Sequence, residues 1–185
     1  MRIYFCSSGK DVFRGYMGRL CYQRWKKEKG ADIYSVYPGT IGSKPSEFEK
    51  KKRVFASMYQ DHQYYVLADN TWFPYGEPFL ERGMEILKEH PEFGMLSMLP
   101  FGAKLTPWTA SSGRPFASFE TRVVSQQETV GGIRFCRRVE LTHEEWVEQT
   151  GPGYDTEHCE ALREAGYRVG FFRDLRCTNL GEGWE

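Results

Sequence analysis

The chain has 185 residues, a length that fits one domain or one domain with a small appendage. Forty per cent of its residues are hydrophobic and 16% are aromatic, which is enough for a sizeable core and argues against a disordered chain. Its 25 basic and 25 acidic side chains balance, so the composition does not support a wholly basic nucleic-acid coat protein, although it allows a local basic patch.

The cysteines and the apolar runs bear on where the protein resides. Its five cysteines are scattered without a C-x-x-C pair, which is typical of reduced thiols in an intracellular protein and does not favour a zinc site. No apolar run approaches the roughly 20 residues that span a bilayer, and the first residues turn polar too soon for a signal peptide. We therefore expect a cytoplasmic protein without a membrane partner.

The first part of the chain alternates predicted strands with predicted helices. Short apolar runs predict strands over residues 3–6, 31–37 and 64–68. Apolar side chains at three- and four-residue steps predict a helix over residues 11–29, and a second helix is expected to begin near Pro45. This order favours parallel strands joined by crossover helices.

The rest of the chain continues the alternation around an irregular stretch. A helix is predicted over residues 77–89 and a strand over residues 93–99, whereas residues 100–119 have the glycine and proline content of a long loop. Further strands are predicted over residues 121–125, 132–138 and 167–172, helices over 144–148 and 155–165, and a polar tail over 177–185. The pattern predicts an α/β fold whose central sheet is mostly parallel, with helices on both faces.

An acidic residue stands at the end of the third predicted strand. Asp69 follows this apolar run and precedes Asn70 and Thr71. Ligands of open α/β sheets bind beyond the carboxyl ends of the strands, and a carboxylate there can hold a divalent ion that bridges a diphosphate. The alternative is that Asp69 and Asn70 only turn the chain after the strand. The residues by themselves leave both interpretations open.

Three segments together resemble the nucleotide-sugar glycosyltransferases with the GT-A fold, particularly the family-two group. The strand that ends in Asp69 resembles their D-x-D region. Residues 153–169 resemble their segment in which an E-D pair opens a helix and is followed by "L-x-x-x-G-Y-x-I" and a strand. Asn179 lies where many members have a metal-binding histidine. The matches span residues 3–181 in the family's order.

The resemblance implies a single GT-A-like, Rossmann-like domain over residues 1–185. Residues 1–76 would be its nucleotide-sugar-binding half and residues 77–185 its acceptor-side half. Asp155 would be the general base that deprotonates an acceptor hydroxyl, and Glu157 would share or take over that role. The alternative for both acids is structural, because this stretch is also a good N-terminal capping sequence for a helix.

The same resemblance implies a metal site, Mn²⁺ or Mg²⁺, which is incomplete in this sequence. Its candidate ligands are Asp69, Asn179 and His158. Thr71 stands where the second acid of D-x-D is expected, and Asn179 replaces the histidine with a weaker ligand. The need for a metal therefore stays open.

Further residues are candidates for binding the donor and the acceptor. The donor candidates are Ser7 and Ser8 after the first strand, Lys52 and Arg53 on the second helix, and Asp69 with Asn70. The acceptor candidates are Trp72, Arg134, Arg137 and Arg138, the arginines because they can meet phosphate. The alternatives are a simple loop for the serines, a solvated face for the basic residues and a core position for the tryptophan.

The expected function is the transfer of a sugar from a nucleotide-diphosphate sugar to an acceptor hydroxyl. Small transferases of this kind also occur in viruses, where some modify hydroxymethylated bases in DNA, so a nucleic-acid acceptor and a host-cytoplasmic location are one version of this expectation. DNA contacts of that kind depend strongly on salt. The alternative is a degenerate, non-catalytic binding domain that kept the sheet and lost the metal site.

Overall fold

The structure is a computed structural model that describes residues 2–6, 12–36, 62–69, 71–76, 78–101, 118–119, 122–126, 132–139 and 154–180. The helices predicted near Pro45 and over residues 144–148 lie outside this part of the chain. Among the residues described, no helix is both long and apolar enough to cross a membrane.

The described residues form nine strands and three helices. The strands are β1 (Arg2–Cys6), β2 (Asp32–Val36), β3 (Tyr64–Asp69), β4 (Trp72–Pro74), β5 (Phe93–Pro100), β6 (Ser118–Phe119), β7 (Val123–Gln126), β8 (Ile133–Arg137) and β9 (Arg168–Asn179). The helices are α1 (Val12–Trp25), α2 (Phe79–Glu89) and α3 (Tyr154–Glu164). These elements confirm the α/β class, and most of them coincide with the predicted segments.

All nine strands belong to one mixed sheet with the order β2-β1-β3-β8-β5-β9-β7-β6, and β4 pairs with β9. Only β1–β2, β1–β3 and β5–β9 are parallel pairs. The expectation of a mostly parallel sheet is therefore wrong in this respect. The reason is β8, which lies between β3 and β5 and is antiparallel to both.

Two elements depart from the predicted boundaries. β4 is a short strand that the sequence did not indicate. β9 extends beyond the predicted strand through residues 173–179, of which residues 177–179 were predicted as part of a polar tail. Leu175 and Cys177 are buried in this extension, between exposed or half-buried charged residues. The charged neighbours interrupt the apolar pattern, so the sequence did not predict this part of β9. In the structure, β4 pairs with it along one side.

The sheet has helices on both faces, as predicted. Val66 and Ala68 of β3 belong to a core cluster that also contains Trp25 of α1 and Phe79 of α2. Tyr65 and Leu67 belong to a second cluster with Cys159 and Leu162 of α3. Since successive side chains of a strand point to opposite faces, α1 and α2 cover one face and α3 covers the other.

A buried ion pair ties the segment after α1 to the start of α2. Arg24 Nη1 lies 3.0 Å from Glu28 Oε1, and Glu28 Oε2 accepts a hydrogen bond of 3.1 Å from the backbone N–H of Leu80. The Arg24 guanidinium also lies over the Phe79 ring, 4.6 Å from its centroid. The Glu28 carboxylate thereby accepts a hydrogen bond from an N–H of the first turn of α2. Pro78, at the start of this helix, makes no capping hydrogen bond with its side chain.

Candidate functional site

The carboxyl ends of β1, β2, β3, β5 and β9 lie at one edge of the sheet, which we call the carboxyl edge. β1, β2 and β3 are parallel, and the parallel pair β5–β9 shares their direction because β8 is antiparallel to both β3 and β5. Asp69 is the last residue of β3 and lies opposite Cys6. The other predicted donor-binding residues lie outside the described part of the chain: Ser7, Ser8, Lys52, Arg53 and Asn70.

The segment after Asp69 is joined to the end of β9. Trp72 is paired with Asn179, and the backbone N–H of Leu180 donates a hydrogen bond of 2.8 Å to the carbonyl oxygen of Thr71. The structure therefore brings together two of the segments that carry the resemblance, although they are far apart in sequence. It places both at the carboxyl edge, where the fold expects a ligand.

Trp72 is half-buried beside a glycine at the start of β8. A Cβ atom added at Gly132 would lie 3.0 Å from the indole ring, and Gly132 has a positive φ of 80°. The ring therefore packs directly on the glycine backbone. The role of Trp72 in binding an acceptor stays a prediction.

Asp155 and Glu157 lie in the first turns of α3, which begins at Tyr154. The predicted opening of a helix at this point is confirmed to within one residue. α3 packs against β5 and β9 on one face of the sheet. The roles of the two acids as general base stay predictions.

Arg134 and His158 are buried together on the face of the sheet that α3 covers. Arg134 pairs with Leu67 of β3 and with Ser97 of β5. Arg134 and His158 are each only 1% exposed. Burial, and secondly the Arg134 guanidinium, lower the pKa of His158 to about 3. The imidazole is therefore neutral at physiological pH, whereas the guanidinium adds a fixed positive charge to this interior.

The residues described do not fit a divalent-metal centre. They include no group of three or more His, Cys, Asp or Glu side chains that could hold a metal ion. The positive charge of Arg134 opposes a second cation at His158. Thr71 adds no charge beside Asp69. The assignment of Asp69, Asn179 and His158 as ligands stays a prediction.

Arg137 makes its hydrogen bonds at the edge of the sheet opposite the carboxyl edge. Its guanidinium donates hydrogen bonds of 2.9 Å to the Tyr64 hydroxyl and 3.0 Å to the carbonyl oxygen of Leu87. Tyr64 is the first residue of β3, so this edge lies at the other end of the strand from Asp69. Arg138 is exposed at the same edge, where its N–H donates to the Gln63 carbonyl oxygen over 2.8 Å. The structure thus does not bring these two arginines together with Asp69.

Sequence reasoning missed two exposed aromatic residues at the carboxyl edge. Tyr75 follows β4 and Phe101 follows β5, and they are 42% and 70% exposed. Their ring centroids are 5.5 Å apart. The sequence did hold a signal, because each aromatic residue stands between a proline and a glycine, which are typical of turns. We call Tyr75 and Phe101 the aromatic platform.

The fold is similar to solved structures of proteins that use nucleotides. No family model matches the chain, and a search of curated proteins finds no match. CMP:2-keto-3-deoxy-manno-octonic acid synthetase, solved with CTP, superposes with a TM-score of 0.56 at 13% identity, over 99% of this chain and 91% of that chain.

Two proteins solved with nucleotide sugars also superpose on the chain. A Drosophila β-1,4-galactosyltransferase 7 mutant, solved with manganese, UDP-Gal and xylobiose, gives a TM-score of 0.48 at 13% identity, over 98% of this chain and 68% of that chain. TarS of S. aureus, solved with UDP-GlcNAc, gives a TM-score of 0.46 at 9% identity, over 100% of this chain and 62% of that chain. At these identities the likeness to the synthetase shows the fold, which is the GT-A-like α/β fold that the sequence predicted.

The buried histidine makes stability depend on pH. The unfolded chain protonates His158 below about pH 6.5, whereas the folded chain does so only below about pH 3. Between these values the unfolded state binds one more proton, so the free energy of unfolding should fall by about 1.4 kcal/mol per pH unit as the pH decreases. Above pH 6.5 this contribution should be constant.

Urea titrations from pH 8 to pH 4 on the wild type and His158→Gln check this expectation. The variant should lack the contribution of one proton to the slope, whatever packing cost it shows at pH 8. Identical slopes for the two proteins would contradict it.

Proposed function

We propose that the protein is a nucleotide-sugar-dependent transferase that moves a sugar to an acceptor hydroxyl, with Asp155 as the general base. The pairing of Trp72 with Asn179 carries the proposal. It joins two segments that resemble the transferase family at the carboxyl edge of the sheet, next to the end of β3. The fold, which is shared with a nucleotide-using synthetase, supports the same placement of a nucleotide.

The proposed reaction needs a set of donor-binding residues and a base. Donor binding falls to Ser7, Ser8, Lys52, Arg53, Asp69 and Asn70, and the basic side chains among them neutralise the diphosphate. Asp155 takes the proton of the acceptor hydroxyl while the oxygen of that hydroxyl forms a bond to the anomeric carbon of the donor sugar. The bond from that carbon to the diphosphate oxygen breaks, and a nucleoside diphosphate leaves. Residues 1–76 supply the donor half of this site and residues 77–185 the acceptor half.

Asp155→Asn is the direct test of the base. The amide keeps the size of the side chain but cannot accept the proton, so turnover should fall by a factor of about 10² to 10⁴. Release of nucleoside diphosphate from a set of nucleotide sugars, with and without Mn²⁺, is the measurement. Calorimetric titration with the same compounds shows whether the donor still binds.

Glu160→Gln is the matched control, because Glu160 is an exposed acid on the same helix. It should keep the wild-type rate and melting temperature. Turnover that survives unchanged in Asp155→Asn would rule out this base, and the lack of binding by every nucleotide sugar would contradict the proposed function. Binding without turnover would instead favour the non-catalytic binding domain.

The acceptor is the finer part of the proposal. A hydroxymethylated base in DNA would require phosphate contacts. At the opposite edge of the sheet, Arg137 at the end of β8 is half-buried, and Arg138, the residue after β8, is exposed. Affinity for DNA should then fall steeply between low and high salt. Constant affinity would remove DNA from the candidates.

A second candidate reaction is nucleotidyl transfer, which would form a nucleotide sugar rather than consume one. The superposition on a CTP-bound synthetase, which covers 99% of this chain, favours it. Incubation with each nucleoside triphosphate and a sugar distinguishes the two reactions. Release of pyrophosphate would indicate nucleotidyl transfer, and release of nucleoside diphosphate from a nucleotide sugar would indicate glycosyl transfer.

A further inference from the structure

We infer that the aromatic platform, Tyr75 with Phe101, is a carbohydrate-binding subsite that stacks a sugar ring of the acceptor. The inference rests on the proposed function, in that it assigns the acceptor side of the same carboxyl edge, to which residues 1–76 contribute Tyr75 and residues 77–185 contribute Phe101. It goes beyond that function by naming the residues that hold the acceptor and the chemical class to which the acceptor belongs.

The backbone holds both aromatic residues in place. Pro74 at the end of β4 and Pro100 at the end of β5 are both paired with Cys177 of β9, so the two strands flank the same residue. The next residue of each strand is an aromatic one. Tyr75 N–H donates to the Arg176 carbonyl oxygen over 2.8 Å, and Phe101 N–H donates to the Cys177 carbonyl oxygen over 2.5 Å. The backbones of both aromatic residues are therefore held on either side of β9, which limits the backbone entropy lost when a ligand binds.

The rings form an open surface rather than a closed core contact. Their planes are tilted by 46°. The Tyr75 ring also makes an edge-to-face contact with the Phe73 ring, with 5.6 Å between the two ring centroids. Phe73 is half-buried, whereas the rings of Tyr75 and Phe101 are exposed. The exposed surface is therefore apolar, with one polar group, the phenolic hydroxyl of Tyr75. An apolar surface with a polar rim suits a pyranose ring, which has an apolar C–H face and hydroxyls around its edge.

The size of the platform favours a sugar over a protein partner. The exposed parts of the two rings amount to an area on the order of 200 Å². A stable protein interface needs about 800 Å² from each partner, several times this area. One or two sugar rings match it.

The two arginines that are candidates for DNA contacts do not lie beside the platform. Single-stranded nucleic acids are bound by aromatic rings together with a basic groove that follows the phosphates. Arg137 and Arg138 of the β8 segment lie at the opposite edge of the sheet, at the other end of β3 from Asp69. A neutral oligosaccharide needs no such groove.

Binding of defined oligosaccharides to the full chain tests the inference. The probes are hexasaccharides of glucose, N-acetylglucosamine, xylose and mannose, with a single-stranded oligonucleotide as the competing class, each followed by saturation-transfer NMR and calorimetry. We expect at least one saccharide to bind, and Phe101→Ala and Tyr75→Ala each to weaken it about 10- to 100-fold. Phe101→Trp should retain the affinity, because it keeps an aromatic face.

Tyr16→Ala is the matched control, since Tyr16 is an aromatic residue of α1 that is 58% exposed. It should leave saccharide binding unchanged, and the melting temperature of each variant shows that the fold is intact. No saccharide binding, binding that both platform variants retain, or binding of the oligonucleotide alone at the platform would each overturn the inference.

A parallel titration with nucleotide sugars separates this inference from the proposed function. Platform-dependent saccharide binding without any donor binding would refute the transferase and leave the subsite standing. Donor binding that both platform variants retain, with no saccharide bound, would refute the subsite alone.

Discussion

Replacing Gly170 by alanine should destabilise the protein by about 3 kcal/mol or more. Gly170 lies in β9 between Leu96 of β5 and Ser125 of β7, and an added Cβ would collide with the carbonyl oxygen of Val124. It would also lie 2.9 Å from the Phe93 ring. A side chain can move away from such a contact, but a carbonyl oxygen of a paired strand cannot move without breaking the ladder. Urea unfolding followed by circular dichroism measures the loss.

Gly30→Ala is the control that separates the collision from the general cost of losing a glycine. Gly30 has a positive φ of 77° and no atom within 4 Å of an added Cβ. Alanine there should cost only about 1–2 kcal/mol, for the left-handed backbone conformation. If Gly170→Ala proved no more harmful than Gly30→Ala, the close approach of β7 and β9 would be disproved.

Removing the buried carboxylate in Glu28→Ala should have the second large effect, a loss of about 3–5 kcal/mol. Arg24 would lose its carboxylate partner in the protein interior, and the N–H of Leu80 would lose its acceptor at the start of α2. Both losses leave polar groups away from water, and this costs more than the ion pair itself contributes. Chemical unfolding of the variant, monitored by tryptophan fluorescence, gives the value.

The exposed ion pair between Arg122 and Glu89 offers a matched comparison. Its atoms approach to 2.7 Å, closer than those of the buried pair, but its side chains are partly exposed to water. Glu89→Ala should therefore cost less than about 1 kcal/mol. Equal losses in Glu28→Ala and Glu89→Ala would show that burial does not determine the effect.

The elements with strong local patterns could be predicted from the sequence, whereas long-range pairing could not. β3 is a continuous apolar run and α2 has an apolar stripe, and both were placed to within a few residues. The direction of β8 depends on its neighbours in the sheet rather than on its own five residues. The last part of β9 was missed because charged residues interrupt its buried positions, which become evident only when β4 pairs with it.

The candidate site shows the same division. The order of the segments that resemble the transferase family predicted that Asp69 and Asn179 belong to one site, and the pairing of Trp72 with Asn179 brings their segments together. Arg134 and Arg137 of β8 were named together as acceptor candidates without regard to the period of a strand. Residues three apart on a strand point to opposite faces, so Arg134 and Arg137 cannot line one surface. Their roles in acceptor binding stay predictions without support from this arrangement.

The pairing of β4 with the end of β9 also has a consequence for biosynthesis. Residues 72–74 meet residues 177–179 across a separation of about 100 residues, a contact that forms slowly because it closes a long loop. A nascent chain can complete β1 to β3 early, but Tyr75 and Phe101 are anchored by Arg176 and Cys177, which the ribosome adds much later. Translation therefore finishes the β2-β1-β3 side of the sheet first and the aromatic platform among the last.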